Sequence, residues 1–124
     1  MEEVFISSKI KVKPSSLHGM GVFAIEPIPK GEVIEVCYYT PVSIPNPQDS
    51  ILKRYCFATK KGIAIAWGYG SIYNHSFEPN IKFVNSSEDF IVFSAEGNIE
   101  IGEELTHCYV KDKDVFNKHY LDKI

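Results

Sequence analysis

Residues 74–80, Asn-His-Ser-Phe-Glu-Pro-Asn, set the hardest limit on what this chain can become. Asn and Ser side chains compete for nearby backbone groups, and Pro79 pushes Glu78 away from helical torsions. The run is therefore read as a structured loop between two apolar segments. Polar side chains set this densely beside Ile72, Tyr73 and Phe77 need a reason to be there, and satisfying loop backbone is only part of one.

Around that loop the chain breaks into short β-prone pieces. Lys9–Lys13 alternates Lys-Ile-Lys-Val-Lys, the period of a half-buried strand. A turn-rich stretch from Pro14 to His18 leads through Gly19-Met20-Gly21 into Val22-Phe23-Ala24-Ile25, again strand-like. Pro27-Ile28-Pro29-Lys30-Gly31 turns into the β-rich run Val33–Val42, and the prolines between Pro41 and Pro47 mark an irregular loop. Ile51–Tyr55 suits a single helical turn. Cys56–Thr59 and Ile63–Ala66 read as one hairpin, Ile81–Val84 and Phe90–Ser94 as another. Val115, Phe116, His119, Tyr120 and Ile124 recur at roughly helical spacing, so a C-terminal helix is expected over Lys113–Ile124. Many short strands with no repeat and no linker imply one mostly-β domain over 1–124.

Composition excludes several classes of function. With 124 residues, 44% hydrophobic and 23% charged, the chain has the profile of a soluble globular domain. It has no apolar run long enough for a transmembrane helix, and its start has neither the basic lead nor the apolar stretch of a secretory signal. A net charge of −3 offers no electrostatic case for direct nucleic-acid binding, and suits a basic peptide partner at most mildly. Three cysteines without a Cys-x-x-Cys pair argue against a disulfide framework or a zinc ribbon, so no metal is expected and a reducing interior, cytoplasmic or nuclear, fits.

Three motifs, in order along the chain, resemble those of SET-domain lysine methyltransferases. They are His18-Gly19-Met20-Gly21-Val22-Phe23-Ala24, then Asn74-His75-Ser76-x-x-Pro79-Asn80, then Gly102-Glu103-Glu104-Leu105-Thr106-His107-Cys108-Tyr109. Each alone is weak; in order, from about Lys11 to Tyr109, they are specific. The resemblance implies a SET-type fold of small curved sheets, with a threaded, knot-like C-terminal segment and a short C-terminal helix. It implies S-adenosylmethionine as cofactor and a lysine in a basic, flexible, histone-like segment as substrate. Neither a cysteine-rich segment before the domain nor a zinc-binding one after it is expected. Minimal members of the family can be homodimers.

The chemistry asks for a cofactor pocket, a narrow passage for the amine, and an uncharged amine. Gly19, Met20 and Gly21 would let main-chain groups approach the cofactor. A dinucleotide fingerprint is rejected, because the third glycine is missing and the motif runs into strand. By resemblance Asn74 meets the methionine moiety and the His75 backbone meets the adenine; without a zinc-binding tail the adenine must then be covered by Phe116 or Tyr120, or by a second subunit. Pro79 and Asn80 are assigned to loop shape. Tyr109 is the expected catalytic residue, its phenol orienting the amine; with a pKa near 10, positioning is a safer role than proton transfer. Tyr55, Phe83 and His107 are the expected channel residues, with Tyr55 and Phe83 equally able to be core.

The departures matter too. His107 stands where many members have Phe or Tyr, Cys108 where Asp is common, Val110 where Gly often follows, and Cys37 where a tyrosine is frequent. They leave the number of methyl groups open and motivate the alternative of a SET-shaped module that binds peptide or cofactor without turnover. A Cys-His hydrolase built on Cys37 or Cys108 with His75 is a remote third, since no motif supplies an activated thiolate and an oriented base.

Overall fold

The computed structural model describes residues 3–42, 56–59, 62–85 and 89–109. Ten short strands make up nearly all of the regular structure in them: β1 Phe5–Ile6, β2 Ile10–Pro14, β3 Met20–Ala24, β4 Val33–Pro41, β5 Cys56–Thr59, β6 Gly62–Trp67, β7 Asn74–His75, β8 Ile81–Asn85, β9 Phe90–Ala95 and β10 Glu104–His107. A short 3-10 turn, Tyr69–Ser71, leads towards β7. The expected helical turn at Ile51–Tyr55 and the helix over Lys113–Ile124 lie outside the described residues. So does the chain beyond Tyr109, on which any threading depends.

The strands form two small sheets. One runs β5-β6-β4-β9-β8, with β1 pairing antiparallel to β4 at Phe5↔Val36 and Ile6↔Glu35. Both expected hairpins are present, as antiparallel pairs with Thr59 opposite Gly62 and Asn85 opposite Ile91. The other sheet runs β2-β3-β10-β7. The connections that pass between the sheets, β3 to β4 and β9 to β10, are themselves tied by main-chain bonds: Ile28 and Ile99 exchange N–H···O=C bonds of 2.9 and 2.8 Å, and Gly31 N–H reaches the Ala95 carbonyl at the end of β9 at 2.8 Å.

Alternation explains which side chains enter the core. On β9, Ile91, Phe93 and Ala95 are buried while the residues between them are half-buried. β4 breaks the pattern: Ile34, Glu35, Val36 and Cys37 are all buried, so this strand is covered on both faces. Tyr39, Tyr73, Phe93, Ile81, Ile99 and Leu105 fill the rest of a continuous core. Each such fully buried side chain contributes on the order of 1.5–3 kcal/mol.

Asn74–His75 forms strand rather than loop. Local propensity argues against it, but β10 lies beside it and pairs in parallel, Thr106 with Asn74 and His107 with His75. Tertiary pairing wins over a weak local preference. Beyond β7 the loop keeps hold of β10. Asn80 donates from Nδ2 to the Glu104 carbonyl (2.9 Å) and accepts at Oδ1 from Thr106 N–H (2.8 Å), imitating a strand with its side chain. Its own N–H reaches the Thr106 carbonyl at 3.2 Å.

Asn80→Ala should therefore lower the unfolding free energy in urea by about 1–3 kcal/mol, because the buried Thr106 amide loses its acceptor. Glu78→Ala, two residues earlier and exposed, should stay within about 0.5 kcal/mol of the parent.

Candidate active site

The site begins at the turn before β3. Ser15 N–H donates to the Gly19 carbonyl at 2.8 Å, and Ser15 Oγ accepts from Leu17 N–H at 2.9 Å while donating to Glu104 Oε1 at 2.7 Å. Gly19 has a φ of +45°, with open space where a side chain would project. Glycine adopts that left-handed backbone without strain and leaves room for a ligand to approach it. Gly21 is glycine for a different reason: a Cβ there would run into the Glu104 carboxylate. Met20, between them, is exposed.

Asn74 joins this turn to β10. Its Nδ2 donates to the His18 carbonyl (3.1 Å), the Met20 carbonyl (3.2 Å) and Glu104 Oε2 (2.7 Å). Turning the amide over would aim its oxygen at three other oxygens, so the network fixes its orientation. Two protons serve three acceptors, and Asn74 is only 3% exposed. The amide nitrogen is thus spent on the architecture of the turn.

Tyr109 is held from several sides. Its N–H donates to His75 Nδ1 at 2.9 Å, and its hydroxyl donates to the Tyr73 carbonyl at 2.6 Å. The acceptor role of Nδ1 puts the proton of a neutral His75 ring on Nε2. The Tyr109 ring lies 5.1 Å from the His75 ring and 4.9 Å from that of His107, centroid to centroid. His75 is packed in turn against Phe77 at 4.3 Å.

His107 is almost entirely buried among aromatic rings. Phe83 lies at 5.8 Å, Phe93 at 6.2 Å and Tyr73 at 6.4 Å, all near edge-to-face. His107 and Phe83 also line an open cavity of about 830 Å³, together with Phe77, Pro79, Ile81 and Cys108, and with Lys82 and Glu96 as its charged members. Of the residues singled out in the sequence, Gly19, Met20, Gly21, Asn74, His75 and Tyr109 come together around β7 and β10. Phe83 and His107 face the adjoining cavity. Tyr55 and Phe116 lie outside the described residues.

The model of the SET domain family matches residues 19–110. The chain belongs to the SET-domain family. A curated relative, a histone-lysine N-methyltransferase specific for H3 lysine-37 from Schizosaccharomyces pombe, is 28% identical to this SET domain over 113 residues, spanning 84% of this chain and 75% of its own. Among solved structures, that of a Plasmodium falciparum protein described as a candidate histone methyltransferase aligns with a TM-score of 0.69 and 33% identity, covering 86% of this chain and 97% of its own. The mostly-β architecture of small sheets is thus a SET-type fold.

Three participants in the site escaped sequence reasoning. Ser15 and Glu104 form the brace under the glycine turn, and Glu35 sits fully buried beside Tyr73. The signal for Glu35 was present as a carboxylate between Ile34 and Val36 in an otherwise apolar run. Glu104 lay inside a quoted motif, but its partners are far away in sequence. Among the described residues no three His, Cys, Asp or Glu side chains gather as a metal site.

Cys37 is the wrong kind of thiol for nucleophilic chemistry. Burial, aided by the nearby Glu35 charge, pushes its pKa up to about 12. A raised value means that the folded state keeps its proton longer than the unfolded one. The stabilisation is complete below the unfolded thiol's value of 9.0 and is lost as pH climbs towards 12. Iodoacetamide at pH 8 should accordingly modify half-buried Cys108 before Cys37, with Cys37 labelled only as fast as the protein unfolds. Peptide mapping by mass spectrometry over time would expose rapid Cys37 labelling, the outcome that contradicts this reading.

Proposed function

We propose that this SET domain is an S-adenosylmethionine-dependent protein-lysine N-methyltransferase that acts inside the cell on a basic, flexible segment such as a histone-like tail. The observation that carries the reading is the convergence of the three motifs. The glycine turn, Asn74-His75 and Glu104–Tyr109 form one hydrogen-bonded cluster, with Tyr109 held to the His75 ring and the Tyr73 carbonyl. The histone-lysine activity named for the fission-yeast relative supports the substrate class.

The residues present suit the cofactor. Gly19 offers open, left-handed backbone, and Asn74 and Glu104 hold the Gly19–Gly21 turn in place. In this reading Gly19, Met20 and Gly21 meet the amino-acid end of the cofactor, Asn74 orients that turn and the His75 backbone lies against the adenine, with Phe116 the candidate cover expected from the sequence. When bound, S-adenosylmethionine supplies a methyl group on a cationic sulfonium. The chain's own task is to deliver an uncharged amine in line with it. A free lysine near pH 7.4 must spend roughly 4 kcal/mol to lose its proton, and an apolar, aromatic-walled passage lowers that cost by desolvating the ammonium. In this reading Phe83 and His107, which line the cavity, supply such walls, and the Tyr109 hydroxyl orients the amine at the inner end. Alignment rather than proton transfer is then the main source of rate.

Transfer of radiolabelled methyl groups to a panel of basic peptides tests the reading directly. Binding of the cofactor without transfer, even at alkaline pH, would select the non-catalytic module instead. Tyr109→Phe should lower kcat by about 100-fold or more with cofactor Kd changed less than about threefold. Asn74→Ala should do the converse, raising Kd by about tenfold through loosening of the glycine turn. Calorimetry showing that Tyr109→Phe abolishes cofactor binding would overturn this division of roles.

A further inference from the structure

Glu35 has no part in the chemistry just described, yet it is the one carboxylate among the described residues with no measurable exposure to solvent. It sits on β4, in the other sheet from β7 and β10. Oε1 accepts from the Tyr73 hydroxyl at 2.7 Å, and Oε2 accepts from Tyr69 N–H at 2.7 Å. Gly68 leaves the room for it, since a Cβ there would collide with Oε2. A leucine of similar size would be easier to bury, because an acid taken out of water must be compensated by every bond it makes. Stability alone is a poor reason for this arrangement.

The two bonds grip both ends of one short segment. Glu35 holds Tyr69 at the start of the 3-10 turn and the Tyr73 side chain at its far end. Between them Ile72 N–H and Tyr73 N–H both donate to the Tyr69 carbonyl, at 2.8 and 3.1 Å. The Tyr73 ring is fully buried and packs on Phe93 at 4.8 Å. Its peptide unit therefore has little freedom. That unit carries the carbonyl which receives the Tyr109 hydroxyl at 2.6 Å.

We infer that Glu35 is a positioning residue for Tyr109: by clamping Tyr69 and Tyr73 it fixes the carbonyl that aims the Tyr109 phenol. The inference rests on the methyltransferase reading for its catalytic meaning, but its geometric content does not. A protonated acid can keep both contacts, donating to the Tyr73 oxygen and accepting from Tyr69 N–H, and glutamine can make the same pair. Glutamine should therefore rescue what leucine destroys.

The test uses protein with ring-13C-labelled tyrosine, the Tyr109 resonance being assigned by its absence in Tyr109→Phe. In Tyr73→Phe and Glu35→Leu that resonance should shift, and kcat should fall by about tenfold or more with S-adenosylmethionine Kd within about threefold. Glu35→Gln should retain the parental resonance and kcat. If Glu35→Leu does not fold, Tyr73→Phe carries the test, because it keeps the ring and removes only the hydroxyl. Variants that lose thermal stability while the Tyr109 resonance and kcat stay parental would overturn the inference. Parental protein that transfers no methyl, with the resonance still moving in Tyr73→Phe, would sink the methyltransferase reading and leave the clamp standing.

Discussion

The hydrogen bonding of β10 is the constraint from which the site follows. One edge pairs antiparallel with β3, Glu104 opposite Phe23 and Leu105 opposite Val22; the other pairs in parallel with Asn74 and His75. Short as it is, this strand forces a turn near residue 19 and a segment near residue 74 to lie on either side of it. Backbone pairing of this kind is indifferent to side chains, so it brings the segments together but does not set their fine geometry. The buried and half-buried polar groups do that.

Those groups come as hydrogen-bonded sets rather than isolated charges. Glu104 is shared by Ser15 and Asn74, and Asn74 in turn by two carbonyls of the glycine turn. A half-satisfied set would cost more than an apolar replacement, while a complete one allows a single arrangement. The glycine turn gains from this a rigidity that its own residues lack. Gly19 alone would be free to wander; tethered through Met20, His18 and Ser15 it presents one backbone shape.

How much of this could be read from the chain depended on whether the cause was local. Strand alternation in Phe90–Ser94 and the turn residues before Val22 and after Thr59 act within a few positions, and those elements appear close to where expected. Asn74–His75 was misjudged as loop because its strand partner is about thirty residues away and the local propensity points elsewhere. Gly21 was read only as a glycine that lets main-chain groups approach a cofactor; that the space beside its Cα is taken by an acid from β10 could not be read from spacing. Cys37, aligned with a tyrosine of the family, proved to be a core thiol, a fact of burial that spacing cannot express. Glu35 was passed over for the same reason: an acid in a strand is ordinarily a solvated one, and only the second covered face of β4 makes it otherwise.

Tyr73 ends the turn that opens at Tyr69, Asn74 begins β7, and their side chains reach different sheets. Tyr73 reaches into the six-stranded sheet and ends on Glu35; Asn74 reaches the turn beside the four-stranded sheet and ends on Glu104. One peptide link is thereby anchored to both sheets through two acids of independent origin. Its carbonyl accepts the Tyr109 hydroxyl, and the strand it opens faces β10. A shift of either sheet relative to the other would pull on this link from one side. The aim of the phenol and the shape of the glycine turn are thus set on opposite sides of a single seam, so a change that loosens one need not loosen the other.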